Sequence, residues 1–262
     1  MIFGRRSRAA ARHDDDAQPN PALGIHLDQV DVRLPGVDGQ LQETTILEDI
    51  TLELTQARTA ILGLNGSGKS TVLRLLNGLM TPSDGSVTVH GIDVVQQRKA
   101  ARRTVGFVFT DPLAQLLMPT ALEDVELSLR EVEADATQRR ELAQDLLAAA
   151  GLADRMHHSV YDLSGGQRQL AALTAVLAVE PSVLVLDEPT TLLDLRNRAR
   201  LMERLAGLPQ QLVYATHDLE LAATAQQVVV IHDGQVFACG GPELVADYHQ
   251  WCVDGFPGWD QL

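Results

Sequence analysis

The segment Gly63-Leu64-Asn65-Gly66-Ser67-Gly68-Lys69-Ser70 restricts the folds open to this 262-residue chain more than any other. It has the form G-x-x-x-x-G-K-[ST], in which glycines let the backbone turn its N–H groups towards phosphate oxygens at the start of a helix. Such a loop works only between a strand and a helix, and both are readable here. Thr59 to Leu62 is a short buried strand, and Val72, Leu73, Leu75, Leu76 and Leu79 fall on one helical face behind the loop. Gly63, Gly66 and Gly68 allow close approach, while Leu64, Asn65, Ser67 and Thr71 complete the cradle. Lys69 is placed to reach the β- and γ-phosphates, and the Ser70 hydroxyl to ligate Mg²⁺.

A second segment, Val183-Leu184-Val185-Leu186-Asp187-Glu188-Pro189-Thr190, is an apolar strand ending in two acids. Asp187 at the strand's C-terminal edge can hold Mg²⁺ through water. Glu188 follows at once, points elsewhere, and can polarise a water for in-line attack on a γ-phosphate. Between these two segments stands Leu163-Ser164-Gly165-Gly166-Gln167. Ser164 is a natural N-cap, and Gly165 and Gly166 leave the first amides of a helix bare, which makes an anion site without a lysine.

Residues 1 to about 22 read as a disordered tail, with Arg5, Arg6, Arg8 and Arg12, then Asp14 to Asp16, then Pro19 and Pro21. No apolar run follows the arginines, so no secretion signal is readable. Short alternating runs from Ile25 to Leu54 read as strands separated by a loop at Gly36, Asp38 and Gly39. Ser86–His90 and Thr104–Phe109 are further strands. Residues about 112–165 are rich in Glu, Leu, Ala and Arg and carry no strand signal, which marks an inserted helical subdomain. Helix Gln167–Val179, strands Val183–Leu186 and Leu212–Ala215, and a hairpin around Asp233-Gly234 complete an α/β pattern. The main domain is expected over 23–246. The end from Asp247, with Tyr248, Trp251, Phe256 and Trp259, reads as a tail packed on the core.

Composition narrows the partners. The net charge of −14 opposes a nucleic-acid partner. No stretch approaches the ~18 apolar residues of a membrane helix, and Cys239 and Cys252 are too few for a disulfide framework or a metal cluster.

Together and in this order, the three segments and the later Thr216-His217-Asp218 resemble the nucleotide-binding subunit of an ATP-binding-cassette (ABC) protein. The resemblance covers about residues 25 to 245. It implies a P-loop ABC ATPase core with an antiparallel β-subdomain and an inserted helical subdomain. It also implies ATP and Mg²⁺ as ligands and His217 as a switch histidine that contacts the γ-phosphate and orders Glu188. In the family the signature segment, here Ser164, Gly165, Gly166 and Gln167, closes over ATP held by a second subunit, and a loop at the place of Asp194 crosses that interface. A homodimer with two equivalent sites is therefore expected.

The resemblance narrows further through Val105-Gly106-Phe107-Val108-Phe109, Asp111-Pro112, Gln115-Leu116-Leu117, Met118-Pro119-Thr120, Glu123-Asp124-Val125 and Asn77-Gly78-Leu79. These are similar to the ATPases of energy-coupling-factor importers, and Thr190 to Asn197 is most similar to the biotin branch. That implies work at the cytoplasmic face of the membrane, with an integral coupling subunit and a membrane substrate-binding subunit. Cobalt, nickel or other vitamin import, a cytosolic assembly ATPase, and a regulatory subunit of low turnover are the other readings. Two positions depart from the family. Thr110 stands where a metal-sensing glutamine is usual, and Leu34 where an aromatic stacks on the base. Gln115 is the only nearby amide, and the Pro112 loop is expected not to fold back far enough to bring it inward; a water bridging from Thr110 is the simpler expectation.

Overall fold

In the computed structural model of the chain, residues 20–35, 43–191 and 193–258 are described. The expected N-terminal tail up to residue 19, the loop at Gly36, Asp38 and Gly39, Leu192 and Trp259 lie outside them. Two sheets organise the core. The first is antiparallel, in the order β2-β1-β4-β5, from β1 (Ile25–Leu34), β2 (Thr44–Leu54), β4 (Asp84–Val89) and β5 (Ile92–Asp93). The second has the order β10-β9-β3-β8-β7-β6. It contains β3 (Arg58–Leu62), β6 (Val105–Val108), β7 (Val183–Asp187), β8 (Gln211–Ala215), β9 (Gln227–His232) and β10 (Gln235–Gly240). Only β10, the return strand of the Asp233-Gly234 hairpin, runs antiparallel in it.

The apolar run of β7 is buried at all five positions, as a central parallel strand covered on both faces must be. Side-chain alternation divides it between two cores. Val183 and Val185 pack with the antiparallel sheet and with Val72, Leu73, Leu75 and Leu76 of α1 (Lys69–Leu76), which lies between the sheets. Leu184 and Leu186 point the other way, into a cluster with α5 (Gly165–Leu177), α6 (Leu195–Ala206), α7 (Leu219–Ala222) and α8 (Leu244–Asp254). A third cluster belongs to the helical region, formed by α3 (Ala121–Ser128), α4 (Ala136–Ala149) and one face of α5. Thr120 opens α3 with a full capping box to Glu123, and Asp135 caps α4 through the amides of Thr137 and Gln138.

The ends differ from the expectation. Residues 20–22 are not free: Asn20 caps a 3₁₀ turn over Pro21–Leu23, and its own N–H donates to the His90 carbonyl at 2.8 Å. At the other end the expected tail begins inside a helix, α8. Its Tyr248 is buried, and Phe256 just beyond stacks on His232 with ring centroids 3.9 Å apart. Only Tyr248 and Trp251 of the aromatic residues lie in this short helix, too few to show a period in the sequence. A short helix α2 (Arg98–Thr104), which buries only Ala101 and Thr104, precedes β6.

Candidate active site

The phosphate loop leaves β3 and enters α1 through Gly68, whose φ of 105° is left-handed. Gly63 cannot be replaced without movement: a Cβ there would meet the Ile231 carbonyl oxygen at 2.3 Å and the Ser67 hydroxyl at 2.5 Å. The tip of the β9–β10 hairpin braces the loop further, through a 3.1 Å bond from the Gly234 N–H to the Ser67 carbonyl. On the other side of Gly63, the hydroxyl of Tyr248 lies against its backbone.

Lys69 is buried, and its ammonium donates to the carbonyls of Gly63 at 2.8 Å and Leu64 at 3.0 Å. Burial holds its pKa below the usual lysine value, while the carboxylates of Glu188 and Asp187 pull it back up. The loop cation and the strand-end acids therefore share one electrostatic site. The Ser70 hydroxyl donates to Asp187 Oδ1 at 2.9 Å, which sets two hard oxygen ligands side by side.

Glu188 breaks from the strand in a left-handed conformation, φ 50°, uncommon for a residue with a side chain. Residues held this way cluster at working sites, because the surrounding bonds must outweigh a cost of about 1–3 kcal/mol. Here the Glu188 N–H donates to the Ala215 carbonyl at 3.0 Å at the end of β8. The turn delivers the carboxylate to His217: Oε2 accepts the His217 N–H at 3.2 Å, and Oε1 lies 3.2 Å from Nε2 of the ring. The Thr191 hydroxyl also donates to Oε2, at 3.2 Å. The Glu188 side chain is 14% exposed and the His217 side chain 46%, so the pair opens to solvent from the histidine side.

The residues present fit a magnesium nucleotide. The Ser67 hydroxyl is buried without a protein partner, nothing lies within 4 Å of a Cβ built on Gly66, and a lysine and two adjacent oxygen ligands converge on the loop.

Ser164–Gln167 stands apart from this cluster. Ser164 caps α5, with its hydroxyl accepting from the Gln167 N–H at 3.3 Å and the Gln167 side chain accepting from the Ser164 N–H at 2.9 Å. Ser164 and Gly165 are exposed, whereas Gly166 is buried against Asn197 of α6, where a Cβ would come within 2.6 Å. Asn197 itself is held by Asp194, the N-cap of α6, through its amide at 2.8 Å and its side chain at 2.9 Å.

The Pro112 loop folds back more sharply than expected, yet it carries the Gln115 amide to the junction of β6 and α5 and not to Ser70 or Asp187. Asp111 caps a 3₁₀ turn over Pro112–Ala114, which folds the chain back. Gln115 Oε1 accepts from the Phe109 N–H at 3.2 Å and Nε2 donates to the Ala172 carbonyl at 3.3 Å. The amide thus ties the end of β6 to α5. Leu34, at the end of β1, is 41% exposed. The sequence reading gives no site role to Thr191, Asn197 or Arg198; the Asp-x-x-Asn spacing of Asp194 and Asn197 is the available signal for a helix start.

Residues 47–191 match the protein family described as ABC transporter. The chain belongs to the ABC transporter family. It is 43% identical over 208 residues to the biotin transport ATP-binding protein BioM of Rhizobium etli, covering 78% of this chain and 91% of that protein. It is 37% identical over 240 residues to the energy-coupling factor transporter ATP-binding protein EcfA2 of Enterococcus faecalis, covering 85% and 83%. Among solved structures, the dimeric structure of MJ0796, a bacterial ABC transporter cassette, superposes with a TM-score of 0.75 at 28% identity over 83% of this chain and 98% of that one. The structure of cbiO1 from Clostridium perfringens, part of the ABC transporter complex cbiONQ, gives a TM-score of 0.72 at 26% identity, covering 90% and 96%. The ABC transporter fold expected from the sequence is therefore the fold found, and the chain is an ATPase. No helix among the described residues is long and apolar enough to cross a membrane.

Proposed function

We propose that this chain is the ATP-hydrolysing subunit of an energy-coupling-factor type importer that takes up a vitamin, biotin. It works as a homodimer at the cytoplasmic face of the membrane, on an integral coupling subunit and a membrane substrate-binding subunit. The observation that supports the chemistry is the single cluster of Lys69, Ser70, Asp187, Glu188 and His217. The cargo rests on the 43% identity to BioM of Rhizobium etli.

In this reading the backbone of Gly63–Gly68 and Lys69 hold the phosphates, with Leu64, Asn65, Ser67 and Thr71 shaping the loop. Ser70 and Asp187 would hold Mg²⁺, which when bound neutralises charge on the phosphates. Glu188 takes a proton from a water whose oxygen bonds the γ-phosphorus, while the bond from that phosphorus to the β–γ bridging oxygen breaks, giving ADP and phosphate. His217 keeps Glu188 oriented and faces the γ-phosphate from the solvent side. Ser164, Gly165, Gly166 and Gln167 close over the γ-phosphate held by the other protomer.

Glu188→Gln keeps the shape and removes the base, so kcat is expected to fall by about 10²–10⁴-fold with nucleotide binding retained and an ATP-bound dimer accumulating. Phosphate release and size-exclusion chromatography with ATP measure both. Turnover at the parent rate would overturn the catalytic assignment. A deletion strain is expected to fail on limiting biotin and to recover with biotin in excess. Cobalt or nickel import by the same class of importer is the second reading, and a growth defect relieved by cobalt or nickel instead would favour it.

A further inference from the structure

The strongest ionic cluster among the described residues lies just outside the catalytic group. Arg198, in the first turn of α6, turns the Nε and Nη2 edge of its guanidinium onto Asp218. Nε donates to Oδ2, and Nη2 donates to Oδ1 at 2.6 Å and to Glu220 Oε2 at 2.6 Å. The Arg198 side chain is 21% exposed and that of Asp218 only 13%, so the fork is shielded from the screening that weakens surface pairs. The side-by-side pairing suits arginine; a lysine ammonium is a point charge without the fixed planar fork that matches the two oxygens of a carboxylate.

Asp218 is fixed from three further directions. Its Oδ1 caps α7 by accepting from the Leu221 N–H at 3.1 Å, its own N–H donates to the Thr216 hydroxyl at 3.0 Å, and the Thr190 side chain contacts its carboxylate. The partnership with Arg198, foremost, holds the Asp218 carboxyl below the usual carboxylate range. Asp218 immediately follows His217, whose backbone N–H and ring nitrogen both address Glu188. Asp218 is one residue along the chain from His217, so a displacement of its backbone is passed on to both of those contacts. The four partners of Asp218 (Arg198, Leu221, Thr216 and Thr190) therefore restrain where His217 stands. Of these only Arg198 lies on a helix distant in sequence, α6, and that helix also carries Asp194 and Asn197.

We propose that Arg198 is a positioning residue for ATP hydrolysis: through Asp218 it holds the His217 backbone in the one orientation that aligns Glu188. Arg198 directs its guanidinium bonds to Asp218 and Glu220 rather than to the phosphate loop, so it acts on the rate of the chemical step and leaves nucleotide affinity alone. This inference rests on the roles given above to Glu188 and His217.

The test uses the purified full chain with Mg-ATP. Arg198→Ala and Arg198→Lys are expected to lower kcat tenfold to a hundredfold, the range that a small misplacement of a reacting group costs, while KM for ATP changes less than twofold. Asp218→Asn keeps an oxygen to accept from the Leu221 N–H yet loses the ion pair; it is expected to show the same split and to decide the matter should the arginine variants fail to fold. In a His217→Ala background, single-turnover rates are expected to change less than twofold when Arg198→Ala is added. A purely structural strut would instead lower the rate equally in both backgrounds, and that result overturns the proposal. Glu188→Gln run alongside separates the two levels. If it turns over at the parent rate, the catalytic reading itself falls. If it is inactive while Asp218→Asn and both arginine variants keep the parent kcat, only the role of Arg198 falls.

Discussion

Two helix starts in this molecule offer bare amides to an anion, and they are built in opposite ways. At α1 no side chain caps the helix, Gly68 turns left-handed, and the first helical residue is Lys69, buried beside Asp187 and Glu188. At α5 the Ser164–Gln167 capping box satisfies the end internally, no charged residue stands among its first three helical positions, and Ser164 and Gly165 face solvent. The nearest cation, Arg168, is engaged by the Val160 carbonyl at 2.9 Å and the Tyr161 carbonyl at 2.6 Å. The first helix start is a site in its own right. The second has dipole but no charge, so it can only contribute to a phosphate already held by something else. A chain that carries one of each is suited to pairing with its own kind, with each protomer completing the other.

The sharpest way to break that comparison is at the second helix start. Ser164→Arg adds a large cation where a docking phosphate must arrive. Turnover is expected to fall at least about a hundredfold, the cost of losing a main electrostatic contact. Fluorescent-nucleotide binding to the isolated chain is expected to stay within about twofold, because the phosphate loop is untouched. Equal losses of binding and turnover would mean that the two helix starts are one site within a single chain.

Gln115→Ala cuts a tie between the two halves. It removes bonds to the Phe109 N–H and the Ala172 carbonyl. The expected cost is about 1–2 kcal/mol, with one amide left unpaired, which corresponds to a melting temperature lower by roughly 3–6 °C in a chain of this size. Basal kcat is expected to stay within about threefold, since neither bond touches the catalytic cluster. A collapse of kcat at an unchanged melting temperature would assign the amide to the chemistry and set it with the phosphate-loop half.

The smallest effect is expected deep in the helical region. Asp124 is buried and accepts from the N–H groups of Leu117 at 2.7 Å and Met118 at 3.0 Å. Burial raises its pKa more than those two bonds lower it. With the folded value above the unfolded one, the unfolded chain ionises first as pH rises, so stability is lost on passing upward through the folded value. Asp124→Asn keeps an acceptor without the charge and is expected to melt up to about 2–4 °C higher at pH 7, a difference that shrinks as the pH approaches 4 or below. Thermal scans across that range check it, and a variant less stable at pH 7 would show that the carboxylate's bonds outweigh its burial.

How much of this could be read beforehand depended on sequence distance. The phosphate loop, the strand-end acids and the capped start of α5 are each written in consecutive residues, and the structure finds each where the spacing puts it. The Arg198–Asp218 fork joins residues 20 apart and depends on how α6 packs beside β8, which no local pattern encodes. The fold-back at Gln115 is sharper than the sequence suggests because Pro112 does not oppose the turn: its fixed φ suits the first position of the 3₁₀ turn that Asp111 caps. α8 is not legible in the sequence because only Tyr248 and Trp251 mark its packed side, and the packing of Trp251 on Phe237, and of Phe256 beyond the helix on His232, becomes visible only in three dimensions.

α5 is also a beam with two loads. Ala171, Ala172, Ala175 and Ala178 seat it among α3 and α4, while Leu173 and Leu177 seat it on the parallel sheet. Its 13 residues span about 20 Å at ~1.5 Å each, so a tilt of about 10° about its C-terminal end carries Ser164 through roughly 3 Å. That is the length of one hydrogen bond. The packing of α5 on two separate cores therefore fixes, to within a few degrees of helix tilt, whether the Ser164–Gln167 amides lie within reach of a phosphate.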